Sequence, residues 1–212
     1  GNGKVVEDKR ELTGFSGIVF RGSGNVFVTQ SDVESVRIIA DDNILKCIKT
    51  YIRDNRLVIT TKRPVCPSKF DVYVSLKNIN SLILEGSGNI SADKPIKTDL
   101  LKLEMNGSGN IKLFSIETNI LKSEINGSGD ISLAGTANEC KAEINGSGNL
   151  NFLNLSINRF KAEINGSGNI SATIIDEFMA EINGSGDISY KGNPKVFKTE
   201  TNGSGSIRKI DK

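Results

Sequence analysis

Close copies of Glu-Ile-Asn-Gly-Ser-Gly-Asn-Ile, cleanest at Glu163 to Ile170, recur down the second half of the chain and restrict what it can fold into. The first glycine of each Gly-Ser-Gly triplet falls at Gly22, Gly86, Gly107, Gly127, Gly146, Gly166, Gly184 and Gly203, so the steps from Gly86 onward are 21, 20, 19, 20, 18 and 19 residues. A period near twenty is too short for paired-helix repeats and suits one turn of a β-solenoid, where stacked neighbours bury what a single repeat cannot. The expected fold is all-β: a single-stranded β-solenoid, or β-helix, wound right-handed, with about 20 residues per coil and the NGSG turns stacked in one column.

Alternation within each repeat from Leu82 onward separates inward from outward columns. Before the turn, Leu101, Leu121, Cys140, Phe160, Phe178 and Phe197 form one inward column. Leu103, Ser123, Ala142, Ala162, Ala180 and Thr199 form the next, and Met105, Ile125, Ile144, Ile164, Ile182 and Thr201 a third. After the turn, Ile90, Ile111, Ile131, Leu150, Ile170, Ile188 and Ile207 point inward again, followed by Ala92, Leu113, Leu133, Phe152, Ala172 and Tyr190. Two main strands per coil are therefore expected to enclose one apolar core. Between the inward columns run Lys102, Lys122, Lys141, Lys161 and Lys198, with Met179 interrupting, and Glu104, Glu124, Glu143, Glu163, Glu181 and Glu200. Coils about 4.8 Å apart would stack like charges, and the neighbouring lysine column relieves the repulsion within the glutamate column.

The chain is expected to form one domain over residues 1–212, with a less regular, cap-like β part over 1–81 and the regular array over 82–212. Phe15, Ile18 and Phe20 before the Gly22 turn and Val26 to Thr29 after it make a degenerate first repeat. No Gly-Ser-Gly occurs between Gly22 and Gly86. In that interval Val33 to Ala40 alternates as a strand, Asp42-Asn43 caps a short helical turn, and Asp54-Asn55 turns a hairpin. Pro64 and Pro67 then break the ladder before Phe70 to Val74. The last coil reads as a stop, because Thr201 replaces the inward isoleucine, Ser206 follows the turn, and Arg208, Lys209, Asp211 and Lys212 load the end with charge. A monomer or small closed homo-oligomer is expected.

Composition narrows the partners. Against 27 Lys and Arg stand 25 Asp and Glu, and no basic run or helix tracks a phosphate backbone, so no nucleic acid is expected. Cys47, Cys66 and Cys140 are odd in number and lack a CxxC pair, which suggests neither a disulfide framework nor zinc. Cys140 reads as a small buried hydrophobe. The opening Gly1-Asn2-Gly3-Lys4, without Met or signal sequence, is read as following a removed leader.

The turns invite two readings. Glycines either side of serine permit positive φ at a sharp corner, and Asn106, Asn126, Asn145, Asn165, Asn183 and Asn202 can align as a hydrogen-bonded ladder that needs no ligand. Alternatively, glycine-rich turns with Asp resemble calcium-binding β-rolls, and Asp130 and Asp187 are the candidate calcium ligands. Rolls place Asp in every nine-residue unit, whereas here the post-turn position is mostly Asn, as at Asn25, Asn89, Asn110, Asn149 and Asn169. No metal or cofactor is therefore expected. No Gly-Lys-Ser/Thr follows any turn, which excludes a phosphate loop.

The NGSG(N/D)I turns, Gly14-Phe15-Ser16-Gly17-Ile18, Gly22 to Gln30, Asp42-Asn43-Ile44-Leu45 and Asp54 to Ile59 together resemble the head GIN domain of auto-transporter adhesins, a DUF2807-type family, from about Gly14 onward. The resemblance implies a β-solenoid exported by Bacteroidetes-like bacteria to the periplasm, outer membrane or cell surface, often lipid-anchored, and it carries over no catalytic residues. The expected function is an exported, non-catalytic, adhesin-like binding module for a surface glycan or protein. Alternatives are a polysaccharide-acting β-helix enzyme and a structural or assembly scaffold.

Overall fold

The computed structural model describes residues 1–210, so Asp211 and Lys212, counted above among the terminal charges, lie outside the described residues. The N-terminal part contains β1 (Val5–Arg10), β2 (Gly17–Arg21), β3 (Asn25–Gln30), β4 (Ser35–Asp41), the single turn α1 (Asp42–Leu45), β5 (Ile48–Arg53), β6 (Arg56–Thr61), β7 (Phe70–Leu76) and β8 (Ser81–Leu84). Then follow β9 (Asn89–Ala92), β10 (Ile96–Met105), β11 (Asn110–Ile125), β12 (Asp130–Ile144), β13 (Asn149–Ile164), β14 (Ile170–Ile182), β15 (Ile188–Lys191), β16 (Val196–Thr201) and β17 (Ile207–Lys209). Parallel pairing stacks these into a β-solenoid of about 6 turns, with repeats about 20 residues apart.

The missing turns between Gly22 and Gly86 have a topological explanation. β2 pairs in parallel with β8, and β3 with β9, so the Gly86 turn lies directly on the Gly22 turn. The Gly88 N–H donates to the Gly22 carbonyl at 3.0 Å. The intervening residues fold back to the other side: β6 and β7 form a coil beneath β2 and β3, and antiparallel β4, β1 and β5 close that end. The expected hairpin joins β5 and β6, with φ of 51° at Asp54 and 58° at Asn55, the left-handed pair that a two-residue type I′ turn requires.

In the regular array the expected columns lie in register, as in Leu121↔Cys140↔Phe160↔Phe178↔Phe197. From Leu101 to Phe178 that column is buried, and Phe178 packs between Phe160 (ring centroids 5.9 Å) and Phe197 (5.6 Å). Cys140 is indeed a core residue, and burial pushes its thiol pKa up. The coil differs from expectation in its third wall. β11, β12 and β13 each run without interruption from one Gly turn to the next, and Ile96, Ile116 and Leu155, then Ala137, Ile157 and Ile174, add inward columns between the two expected strands. Register shifts fall at this far corner, between Leu113 and Ile116, Ser132 and Ala134, and Phe152 and Ser156. The spread from 18 to 21 residues per repeat is absorbed there, and the Gly-Ser-Gly corner stays uniform.

The physical reason for that corner's glycines also differs from the one expected. Among the described residues, Gly86 alone of the turn glycines has a positive φ, at 156°. What the others need is space: a methyl group on Gly127 would fall 2.1 Å from the Gly107 carbonyl oxygen, and one on Gly129 2.0 Å from that of Gly109. Close approach of successive backbones, not left-handed geometry, fixes glycine at these positions.

Candidate binding surface

Two surfaces gather polar chemistry. The first is the outer face of the array beside the NGSG corner. The lysine and glutamate columns lie in strict register, Lys102↔Lys122↔Lys141↔Lys161↔Met179↔Lys198 and Glu104↔Glu124↔Glu143↔Glu163↔Glu181↔Glu200. The asparagine ladder is present: Asn126 donates to Asn106 at 2.9 Å, Asn145 to Asn126 at 3.0 Å, Asn165 to Asn145 at 2.9 Å, Asn183 to Asn165 at 3.1 Å and Asn202 to Asn183 at 3.1 Å. Each amide also donates to the glutamate two residues earlier, as Asn145 does to Glu143 at 2.9 Å. The Asn145 hydrogen bond, helped by Lys141, holds the Glu143 carboxyl below its usual pKa against the opposing effect of burial. At Glu104 burial is the larger influence and opposes ionisation, yet hydrogen bonds from Lys102 and Asn106 still leave its pKa lowered. Where Met179 replaces lysine, the face dips into shallow grooves of about 310 and 220 Å³.

Asp130 and Asp187 occupy a second ladder, just after the turn. Asp130 aligns with Asn149, which aligns with Asn169 and then Asp187, so the two carboxylates lie three coils apart, about 14 Å. Asp130 Oδ1 accepts from the Asn149 backbone at 3.0 Å and its side chain at 2.8 Å. Asp187 Oδ1 accepts from the Ser206 backbone at 2.8 Å and its hydroxyl at 2.7 Å, and these bonds lower its pKa. The geometry does not bring them together on one ion. Each carboxylate instead joins its coil to the next.

The second surface is a cleft at the N-terminal end. Antiparallel pairing of β1 with β4 and of β4 with β7, and parallel pairing of β7 with β3, aligns Lys9, Arg37, Tyr73 and Phe27 in one outward row. The Phe27 and Tyr73 rings stack at 4.9 Å and 20°. The Arg37 guanidinium covers the Tyr73 ring at 4.2 Å and donates to Glu7 Oε2 at 3.1 Å. Two residues along, Ser35, Ser75 and Thr29 align as a row of hydroxyls. The β1–β2 loop closes the far side through Leu12 and Thr13, pinned where the Gly14 N–H donates to Glu34 Oε2 at 2.8 Å. The cleft, open to solvent, has a volume of about 470 Å³, within the ~300–1,000 Å³ common for small-ligand sites.

Sequence reasoning missed this cleft because its walls come from four distant segments that only the fold-back unites. A signal existed in the alternation. Val26-Phe27-Val28 and Val72-Tyr73-Val74 bury their valines, so each places an aromatic ring at an outward position where the regular coils carry Ser, Lys, Asn or Arg.

With this geometry established, comparison with known proteins adds the following. The family described as "Putative auto-transporter adhesin, head GIN domain" matches residues 14–194. No curated protein matches. Among solved structures, one described as a "putative adhesin" from Bacteroides fragilis superposes with TM-score 0.95 at 27% identity, covering 99% of this chain and 98% of that one. One described as a "Putative lipid binding protein" from Parabacteroides distasonis gives 0.81 at 25%, covering 100% and 98%. A "putative adhesin" from Parabacteroides merdae gives 0.78 at 25%, also covering 100% and 98%.

Proposed function

The chain belongs to the auto-transporter adhesin head GIN domain family, and from that premise we propose that it is an exported, non-catalytic binding module that engages a glycan or protein at a cell surface. Export to the periplasm, outer membrane or cell surface, with a lipid anchor supplied by a leader, belongs to this reading; the family's adhesin description supports a surface location. Among the described residues, no helix is long and apolar enough to cross a membrane.

The observation that carries the reading is the uneven distribution of surface chemistry. Coil after coil presents nearly the same Lys, Glu and Asn at the same register positions, which suits a uniform scaffold. In the differentiated N-terminal part a stacked aromatic pair, a paired arginine, carboxylates and a row of hydroxyls line one cleft, which suits recognition. Arrays of surface glycans and of outer-surface proteins, probed with the intact chain, test it. Saturable binding to one class that leaves polymer length unchanged is the expected result. Shortening of a bound polysaccharide would identify an enzyme, and wild-type protein that binds neither class would end the adhesin reading.

A further inference from the structure

The N-terminal cleft has the chemistry of a sugar site, and, resting on the binding-module reading, we propose that it takes one or two rings of a neutral saccharide. Sugars need two kinds of partner at once: an apolar surface for their C–H faces, and several groups that both donate and accept hydrogen bonds for their hydroxyls. The apolar ring edges of the stacked Phe27–Tyr73 pair, which line the cleft, supply the first. Ser35, Ser75 and Thr29, in a row beside them, supply the second. Arg37 clamps Tyr73 from the side away from Phe27, so the aromatic wall is set before a ligand arrives and little ordering is left for binding to impose.

Charge selects a neutral ligand over an acidic one. Arg37 is paired with Glu7, and Arg10 lies 2.7 Å from Asp8 as an ion pair, although without hydrogen-bond alignment at its buried Nε. Lys9 remains, in a lining that also holds Glu11 and Glu34. A carboxylated or sulfated sugar would meet no surplus of positive charge, whereas the alternating donors and acceptors suit hydroxyl groups.

The test uses the intact chain on an array containing neutral and acidic glycans, followed by titration of the best hit. A neutral saccharide should bind, and its affinity should change little when salt is raised from about 50 to about 500 mM. F27A and Y73A should each weaken it at least about tenfold, while K122A and E124Q, on the charged ladder face, leave it unchanged. Because loss of an aromatic ring could loosen this end, T29V and S75A serve as milder probes that should weaken binding a few-fold with an unchanged melting temperature. A saccharide hit insensitive to F27A, Y73A, T29V and S75A, or one that requires an acidic sugar and dissociates in salt, overturns the proposal. Binding to a protein with no glycan hit also overturns it, and leaves the broader reading standing. Wild-type protein that binds neither class removes both.

Discussion

Ser123 lies between Leu103 and Ala142 in the inward column that continues with Ala162 and Ala180, and its buried hydroxyl has no hydrogen-bond partner. An unsatisfied buried hydroxyl costs about 1–3 kcal/mol, and alanine is the residue at this position in the next three coils. Ser123→Ala is therefore expected to raise stability by about 1 kcal/mol, read as a higher urea midpoint with an unchanged slope. Asp41 is the opposite case: 0% exposed and fully engaged. It accepts from the Ser68 hydroxyl at 2.5 Å, from the Ser68, Lys69 and Gly3 backbones at 2.8, 3.2 and 2.8 Å, and so ties the N-terminus and the loop before β7 to the end of β4. Ser68's hydroxyl and the backbone donors lower its pKa in the fold although burial opposes them. A carboxyl with a depressed folded pKa contributes stability above its unfolded value of about 3.9, and loses it as pH falls through the folded one. Thermal melts should thus fall below about pH 4. Asp41→Asn should melt lower at neutral pH and show a weaker acid dependence, and equal acid dependence in the two proteins would refute the role.

At the scale of the element, each coil interface carries side-chain ladders as well as backbone bonds, and the ladders should be individually modest. Asn145→Ala removes the links to Asn126, Asn165 and Glu143 at once, all of them exposed, so a loss of about 1 kcal/mol is expected. A chemical melt of that variant checks it. The main columns were legible in the sequence because repetition at the NGSG corner aligns them: knowing Ile144 faces inward settles Ile125 and Ile164. The third wall was not, because Ile116, Gly135 and Leu155 share a register position at a corner where coils differ in length, so fixed offsets misalign it. The Asn119–Asn138–Asn158 ladder beside it, with links of 3.1 Å, escaped for the same reason. The fold-back escaped for another: β1, β4 and β7 pair across tens of residues with no shared motif, and the cleft exists only through that pairing.

For the whole molecule, the ends decide its behaviour. β8 and β9 are paired to β2 and β3 on one side and to β10 and β11 on the other. Removing Gly1 to Lys77 strips one side and bares two sheet edges together with the Leu82 and Leu84 core, so aggregation is expected. Light scattering would show it, and a monodisperse truncated protein would mean that the array closes without this part. The opposite end is less covered than the charged C-terminus suggests, since Phe197 in the last coil is 50% exposed although its column is core elsewhere.

The chain begins in β1, at one edge of the stack, and its described residues finish beside β17, at the other. From β1 through β4, β7, β3, β9 and β11 to β15 and β17 there are ten strand steps, which is about 48 Å at 4.8 Å per step. A load applied between the two ends of the stack would pull along this axis, parallel to the bonds between coils. Tension would then enter at the outermost strand and peel coils singly, each releasing roughly twenty residues of slack, about 70 Å of extended chain. Under load the array would behave as a sequential shock absorber that yields from its ends and spares the interior coils until last.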